Sequence, residues 1–305
     1  MHVRVVGSAA GGGFPQWNCN CHNCRGVRDR TLKATPRTQS SLAVSTDGRD
    51  WALCNASPDI HAQLAAQFPV AHDAAVRSNS IKDILLVDGQ LDHALGLCLL
   101  RENREPLRVW TTDPVAQDLS AGLPLFPLLG HFCGVERQTL PLDRSEFEVP
   151  ALPGIAITAL PVEGKPAPYS PRRNRPARGD NIALTFRDRA RGAALFYAPG
   201  LAEVTDEVRQ AMQASRVVLV DGTFWSDAEM IEAGVSHKRA REIGHLPQSG
   251  PGGMIEQLAR LPAATRRILI HINNTNPILD ERSKERAMLT AAGIEVAADG
   301  MRIEL

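Results

Sequence analysis

The sequence predicts an α/β protein in which two sheets pack face to face with helices outside. Three observations carry that prediction. Strand-like runs come first in the chain, followed by strand–helix alternation, and the pattern then repeats. Short apolar runs bounded by Gly-rich and polar segments read as buried strands. Two of these runs end on metal-ligand residues. Ile84-Leu85-Leu86-Val87 leads into Asp88-Gly89-Gln90-Leu91-Asp92-His93, and Ile268-Leu269-Ile270 leads into His271-Ile272-Asn273-Asn274. Ligands at the mouths of buried strands are a common way to build a site in an α/β protein.

The elements follow in order. Strands are expected at Val3–Gly7, Ser41–Ser45 and Trp51–Asn55, as a meander, with a loop rich in Gly, Asn and Cys between the first two. Ser57-Pro58-Asp59 opens a helix to about Phe68, because Pro58 lacks an amide and Asp59 can serve the helix start. Ile84–Val87 is a strand and Ala94–Leu100 begins a helix. Leu107–Trp110 is a strand, with a helical stretch from Asp113. Further strands fall at Ile155–Leu160, Ile182–Phe186 and Ala193–Tyr197. Helix Glu203–Ala214 precedes strand Val217–Val220. Helix Met254–Arg260 precedes Ile268–Ile270, helix Ser283–Ala292 follows, and strands Ile294–Ala297 and Met301–Ile303 close the chain.

A hydrophobic content of 43% is ample for a core in 305 residues. With 34 basic and 34 acidic residues, no global field steers the chain to nucleic acid or membrane. No apolar run approaches the roughly 20 residues that span a bilayer. The start, Met1 to Gly7, lacks the apolar core of a signal peptide. The expectation is a cytoplasmic protein without membrane insertion. No repeat or long low-complexity linker divides the chain.

Residues Lys165 to Gly179 carry four prolines and five basic residues, which exclude a helix or a central strand. The segment is either a solvated loop or a mobile flap whose Arg172, Arg173, Arg175 and Arg178 capture an acidic ligand. Cys19, Cys21 and Cys24 place three thiols within six positions. A soft sulfur set suits a structural zinc. A redox thiol set and an unliganded cluster are the alternatives, and a cytosolic setting disfavours a disulfide. Zinc would need a fourth ligand, and His22 is near in sequence. Cys54, Cys98 and Cys133 lie singly in apolar surroundings and are expected to be buried thiols.

Taken together, Ser8 to Trp17, Cys19-x-Cys21-x-x-Cys24, Asp92-His93 and His271-Ile272-Asn273-Asn274-Thr275-Asn276-Pro277 resemble the metallo-β-lactamase superfamily. Within it they resemble the branch that serves synthesis of pyrroloquinoline quinone (PQQ). The resemblance spans essentially the whole chain. It implies one domain over residues 1–305, a four-layer αβ/βα sandwich, and a site at one edge of the two sheets. Hydrolases of this superfamily read His-x-His-x-Asp-His at the first strand end, where this chain reads Asp88-Gly89-Gln90-Leu91-Asp92-His93. No histidine falls within Leu160 to Gly164, and the strand matched by Leu195 to Gly200, which a bridging Asp usually follows, offers Tyr197 but no carboxylate. The resemblance thus implies a dismantled first metal position and an intact second one at Asp92, His93 and His271.

Two histidines and one carboxylate with open coordination positions favour Fe(II) over two-metal hydrolysis. Asp88 and Gln90 would bind substrate or orient water. His245 matches the segment that supplies an extra active-site histidine in superfamily phosphodiesterases, making it a candidate proton donor or acceptor. Asp221 ends its strand where it could support a ligand. Those phosphodiesterases place a histidine where this chain has Asn274, so His22, Asn274, Asp221 and water are all candidates for the fourth zinc ligand.

The activity expected from the resemblance is O2-dependent hydroxylation of a tyrosine in a small, acidic, Glu-Tyr-type substrate derived from a ribosomal peptide. Other PQQ-pathway proteins are expected partners, and a homodimer is left open. Two alternatives stand beside the oxygenase: a metal-dependent, phosphodiesterase-like hydrolase, and a non-catalytic carrier of PQQ for export across the membrane.

Overall fold

A computed structural model describes residues 1–72 and 74–305. The first half of the chain supplies β1 (His2–Gly7), β2 (Ser41–Ser45), β3 (Trp51–Cys54), β4 (Ile81–Leu85), β5 (Leu107–Thr111) and β6 (Val135–Thr139). The second half supplies β7 (Ile155–Pro161), β8 (Ile182–Asp188), β9 (Ala194–Ala198), β10 (Val217–Asp221), β11 (Arg266–Ile270), β12 (Ile294–Val296) and β13 (Arg302–Glu304). One sheet has the order β13-β1-β2-β3-β4-β5-β6, and the other β12-β11-β10-β9-β8-β7. Both are mixed. β1, β2 and β3 form an antiparallel meander and β3 to β6 run parallel. β9 to β12 run parallel, with β7 and β8 antiparallel at the far edge.

Side-chain alternation along each strand explains the layers, because successive residues face opposite sides of a sheet. Val3, Val5, Leu42 and Val44 meet Phe186, Leu195, Leu219, Ile268 and Ile270 between the sheets. Their neighbours face outward. Ala43, Leu53, Ile84 and Leu86 pack beneath helices Ile60–Gln67 and Leu125–Leu129. Phe196, Val218, Val220 and Leu269 pack beneath helices Asp206–Gln213, Met254–Ala259 and Lys284–Ala291. The result is the four-layer sandwich. Thr205 and Ser283 begin two of these helices, each hydroxyl accepting a backbone N–H three residues on.

Three local expectations need correction. Asp59 does not serve the helix start: its carboxylate accepts hydrogen bonds from Gln39 N (2.8 Å) and Gln39 Nε2 (3.0 Å), so it ties two loops together. Strand β4 begins at Ile81 rather than Ile84, and Asp83 within it is fully buried. That carboxylate accepts from Trp110 Nε1 and Ala151 N at 2.9 and 2.8 Å, which is how a charged residue is accommodated in a core strand. The Cys-rich loop contains a helix, His22–Arg28. Among the described residues, no helix is long and apolar enough to cross a membrane.

The residues of interest all follow C-terminal ends of strands that share one direction within each sheet: β1, β3 and β4 in one, β9, β10 and β11 in the other.

Candidate metal centre

Beyond β4 the chain is held by both sheets. Val87 N donates to Asn55 Oδ1 (3.1 Å), and Val87 O accepts from Ile182 N at the start of β8 (2.9 Å). Asp88 then turns the chain, its Oδ1 accepting Gln90 N at 2.9 Å, and the short helix Leu91–Ala94 presents Asp92 and His93. His93 Nδ1 lies 2.9 Å from both Asp88 oxygens, so Nδ1–H donates to the carboxylate and the Nε2 lone pair is left for something else. Nε2 is buried, has no hydrogen-bond partner among the described residues, and stands 3.8 Å from Asp92 Oδ2. Burial alone would lower the His93 pKa, but Asp88 and Asp92 more than offset it and raise it to about 9, so a cation that takes the Nε2 lone pair displaces a proton. Burial likewise opposes ionisation of Asp92, and the facing His93 and His271 reverse that, holding it well below the usual carboxylate range.

His271 follows β11 with φ +62°, a left-handed conformation uncommon outside glycine. Its Nε2 lies 3.2 Å from Asp92 Oδ2 and its ring meets His93 edge-on at 5.2 Å. One ligand atom each from Asp92, His93 and His271 fall within 4.8 Å of one another. A side chain at residue 11 would press on this carboxylate, since a Cβ on Gly11 would lie 3.2 Å from Asp92 Oδ2.

Behind His271 stands a hydrogen-bonded relay. Thr223 Oγ1 donates to Asp221 Oδ1 (2.6 Å) and accepts from His271 Nδ1 (2.8 Å), which turns the His271 Nε2 lone pair toward Asp92 and His93. His245 Nδ1 donates to Asp221 Oδ2 at 2.7 Å, and its ring stacks on His271 at 5.4 Å. Asp221 is fully buried and also accepts Leu201 N and Thr223 N. Burial would lower the His245 pKa, and Asp221 reverses this to a net rise. Asp221, His245 and His271 also converge within 4.8 Å. Their facing atoms are already joined to each other or to Thr223, so this group reads as support for the first. Thr223 carries no signal in the sequence that marks it as functional.

The pairing of His93 Nε2 with no protein partner, and two imidazoles turned toward one carboxylate, fits a metal held by Asp92, His93 and His271. Asp88 is directed at His93. Gln90 points outward, its Nε2 donating to Lys165 O at 3.3 Å.

The basic loop differs from a free flap. Arg172 is turned inward, bonded to Asp180 Oδ1 (2.6 Å), Asp118 Oδ1 (2.9 Å) and Pro114 O (2.9 Å). Its guanidinium holds two buried carboxylates, so it pins the loop and is not available to a ligand. Arg173 donates to Pro166 O, Arg178 to Leu142 O (2.8 Å), and Tyr169 OH to Gly89 O. Arg175 is exposed and makes no side-chain hydrogen bond among the described residues.

At the cysteines, the three Sγ atoms converge within 4.8 Å. Asn274 Nδ2 lies 3.1, 3.6 and 3.4 Å from Cys19, Cys21 and Cys24 Sγ. Cys24 is lowered to about 7, first by the Cys21 thiol donating to it and, against burial, by Asn274 and Gln16 N. A half-turn of the Asn274 amide would present Oδ1 to a metal on the three sulfurs. His22 is exposed and outside this group, and Asp221 is occupied by His245, so neither is placed as the fourth ligand.

Residues 50–272 match a family model described as a beta-lactamase superfamily domain. The chain is 55% identical to coenzyme PQQ synthesis protein B of Azoarcus sp. (strain BH72) over 305 residues, covering all of both proteins. The chain belongs to the coenzyme PQQ synthesis protein B family. The Pseudomonas aeruginosa (strain PAO1) member is 56% identical over 307 residues, again over all of both. A Zn2+-bound crystal structure of a further member, PqqB from Methylobacterium extorquens, superposes with TM-score 0.91 at 37% identity, covering both chains completely. A diphosphatase of the PhnP family shares the fold alone, with TM-score 0.68 at 17% identity over 100% of this chain and 97% of its own.

Proposed function

We propose that this chain acts in PQQ biosynthesis as an iron-dependent, O2-using hydroxylase of a tyrosine in a small Glu-Tyr-type peptide. The observation that carries the reading is the three-residue set Asp92, His93 and His271, whose facing atoms are not tied up by other side chains as those of Asp221 and His245 are. Asp88, in the place of a first-metal histidine, bonds to His93 instead. Residues 195–200, the stretch that in hydrolases of the fold leads to a bridging carboxylate, hold no carboxylate, and Tyr197 lies within β9, fully buried between the sheets. A two-metal hydrolase would need ligands at those positions. Names and full-length identity of the relatives support the pathway.

Fe(II) held by the three side chains would supply O2 activation at the positions they leave open. The protein's own groups do the rest. Asp88 and Thr223 keep His93 and His271 as Nε2 ligands. His245, fixed through Nδ1 by Asp221, has Nε2 without a partner among the described residues and would take or give the phenolic proton. Gln90, Lys165 and Arg175 stand toward solvent, where a peptide carboxylate would be met. One oxygen atom of O2 enters the ring and the other leaves as water, which takes two electrons from an external reductant. The test is anaerobic Fe(II) loading followed by O2, a two-electron reductant such as ascorbate and a Glu-Tyr peptide, with product mass as readout. A gain of one oxygen is expected, and its loss with His93→Ala. No hydroxylated product from folded, iron-loaded protein would overturn the proposal.

A further inference from the structure

The connection 162–181 between β7 and β8 is closed at its base, where Val162 N donates to Asn181 O (3.0 Å). Between those ends it holds three consecutive residues of the turn that leads to the candidate ligands. Asp88 forms an isolated antiparallel bridge with Asn181, Gly89 O accepts from Tyr169 Oη, and Gln90 Nε2 donates to Lys165 O (3.3 Å). The end, middle and beginning of one loop thus meet positions 88, 89 and 90. The fit is close: a Cβ on Gly89 would lie 3.2 Å from Tyr169 Oη and 3.7 Å from Val115 Cγ1. Burial, with Asp118 and Asp88 adding to it, pushes the Tyr169 phenol up, so the hydroxyl stays a donor at neutral pH.

The loop is itself fastened away from the turn. Arg172 spans the buried carboxylates of Asp118 and Asp180, Ser170 Oγ donates to Asp118 Oδ1 (2.7 Å), and Thr112 Oγ1 donates to Gly179 O (2.7 Å). On its other side Lys165 Nζ donates to Glu242 O, three residues before His245. We propose that Tyr169 is a positioning residue for His93, acting through the Gly89 carbonyl and Asp88, and that Arg172 anchors the loop that carries it. The path is short. Gly89 is the most permissive backbone position of the turn. Asp88, directly before it, accepts both the His93 Nδ1–H and the Gln90 N–H. A hydroxyl that fixes the Gly89 peptide therefore fixes the carboxylate that aims the His93 ring.

The inference rests on the reading that Asp92, His93 and His271 hold a metal. The experiment compares the wild-type chain, Tyr169→Phe and Arg172→Lys by amide hydrogen exchange without metal, by Co2+ titration and by urea unfolding. The sulfur-to-cobalt charge-transfer band separates the Cys site from the nitrogen–oxygen site. Tyr169→Phe keeps the ring and removes only the donor. Exchange should quicken at the amides of Gln90 and His93, while β10 and β11 keep their protection. Co2+ should bind about tenfold more weakly at the nitrogen–oxygen site, with Cys-site affinity unchanged. Arg172→Lys keeps a cation but loses the planar fork that reaches both carboxylates, and it should weaken the same site. A loop that only stabilises the fold would lower the urea midpoint and leave Co2+ affinity at that site as in the wild type. That result, or unchanged exchange at Gln90 and His93, would overturn the inference alone. No nitrogen–oxygen site in the wild type would overturn the metal reading and the inference with it.

Discussion

Asp88 decides which nitrogen of His93 faces the proposed metal position, and Thr223 does the same for His271. Only the first of these partners stands beside its histidine in the sequence. Asp88 was visible as a change from the hydrolase pattern, but its contact with His93 depends on the turn that Gln90 N closes on it. Thr223 is 48 residues from His271, so nothing local could mark it. Another single-residue consequence concerns Glu229, which lies behind the 271–276 segment. Burial pushes its carboxyl up to about 7 from the ordinary 4.5, although Thr275 Oγ1 and Trp225 N both donate to it. The folded chain holds that proton between these pH values and the unfolded chain does not. Stability should therefore fall as pH rises through the window and level off above about 7, a difference of roughly 3 kcal/mol at most. Urea titrations of wild type and Glu229→Gln from pH 4.5 to 8 measure it. The variant should gain relative to wild type as pH rises, and parallel profiles would reject this role.

At the scale of elements, segment 271–276 joins two sites. His271 faces Asp92, while Asn274 faces the three sulfurs. Asn276 Nδ2 donates to Gly222 O and Thr223 O (3.1 Å each), and Asn23, in the helix beside Cys24, donates to Asn274 O and Asn276 O. Ala10 N and Ile272 N tie the same segment to the loop that packs on Asp92. A metal on the cysteines should thus hold His271 in its left-handed conformation. With Cys24→Ser, hydrogen exchange should quicken at the amides of Ile272, Asn273 and Asn276, while β4 and β5 keep their protection. Unchanged exchange across 271–276 would separate the two sites. The sequence showed this segment as distinctive, yet the helix His22–Arg28 that buttresses it was hidden, because three thiols and two asparagines read as loop. Strand β6, Val-Glu-Arg-Gln-Thr, escaped for the opposite reason: it is an exposed edge with no buried run to reveal it.

Across the whole molecule, the layer architecture was legible because the central strands of each sheet are short apolar runs buried on both faces, with helices between them. The resemblance to a known superfamily supplied the four-layer arrangement and the edge at which ligands meet. Pairing order, the inward turn of Arg172 and the Asp221–Thr223–His271 relay depend on residues far apart in the chain, and no periodicity encodes them. The arrangement that gathers the proposed ligands Asp92, His93 and His271 at one end of the two sheets turns Asp88 toward His93, and residues 195–200 hold no bridging carboxylate for a second metal. Metal content per chain, measured by elemental analysis after loading and desalting, tests this most directly. The account predicts one metal at the cysteines and one at Asp92, His93 and His271, with the total falling by one in His93→Ala and separately in Cys24→Ser. A third metal per chain, lost together with the second in His93→Ala, would contradict it.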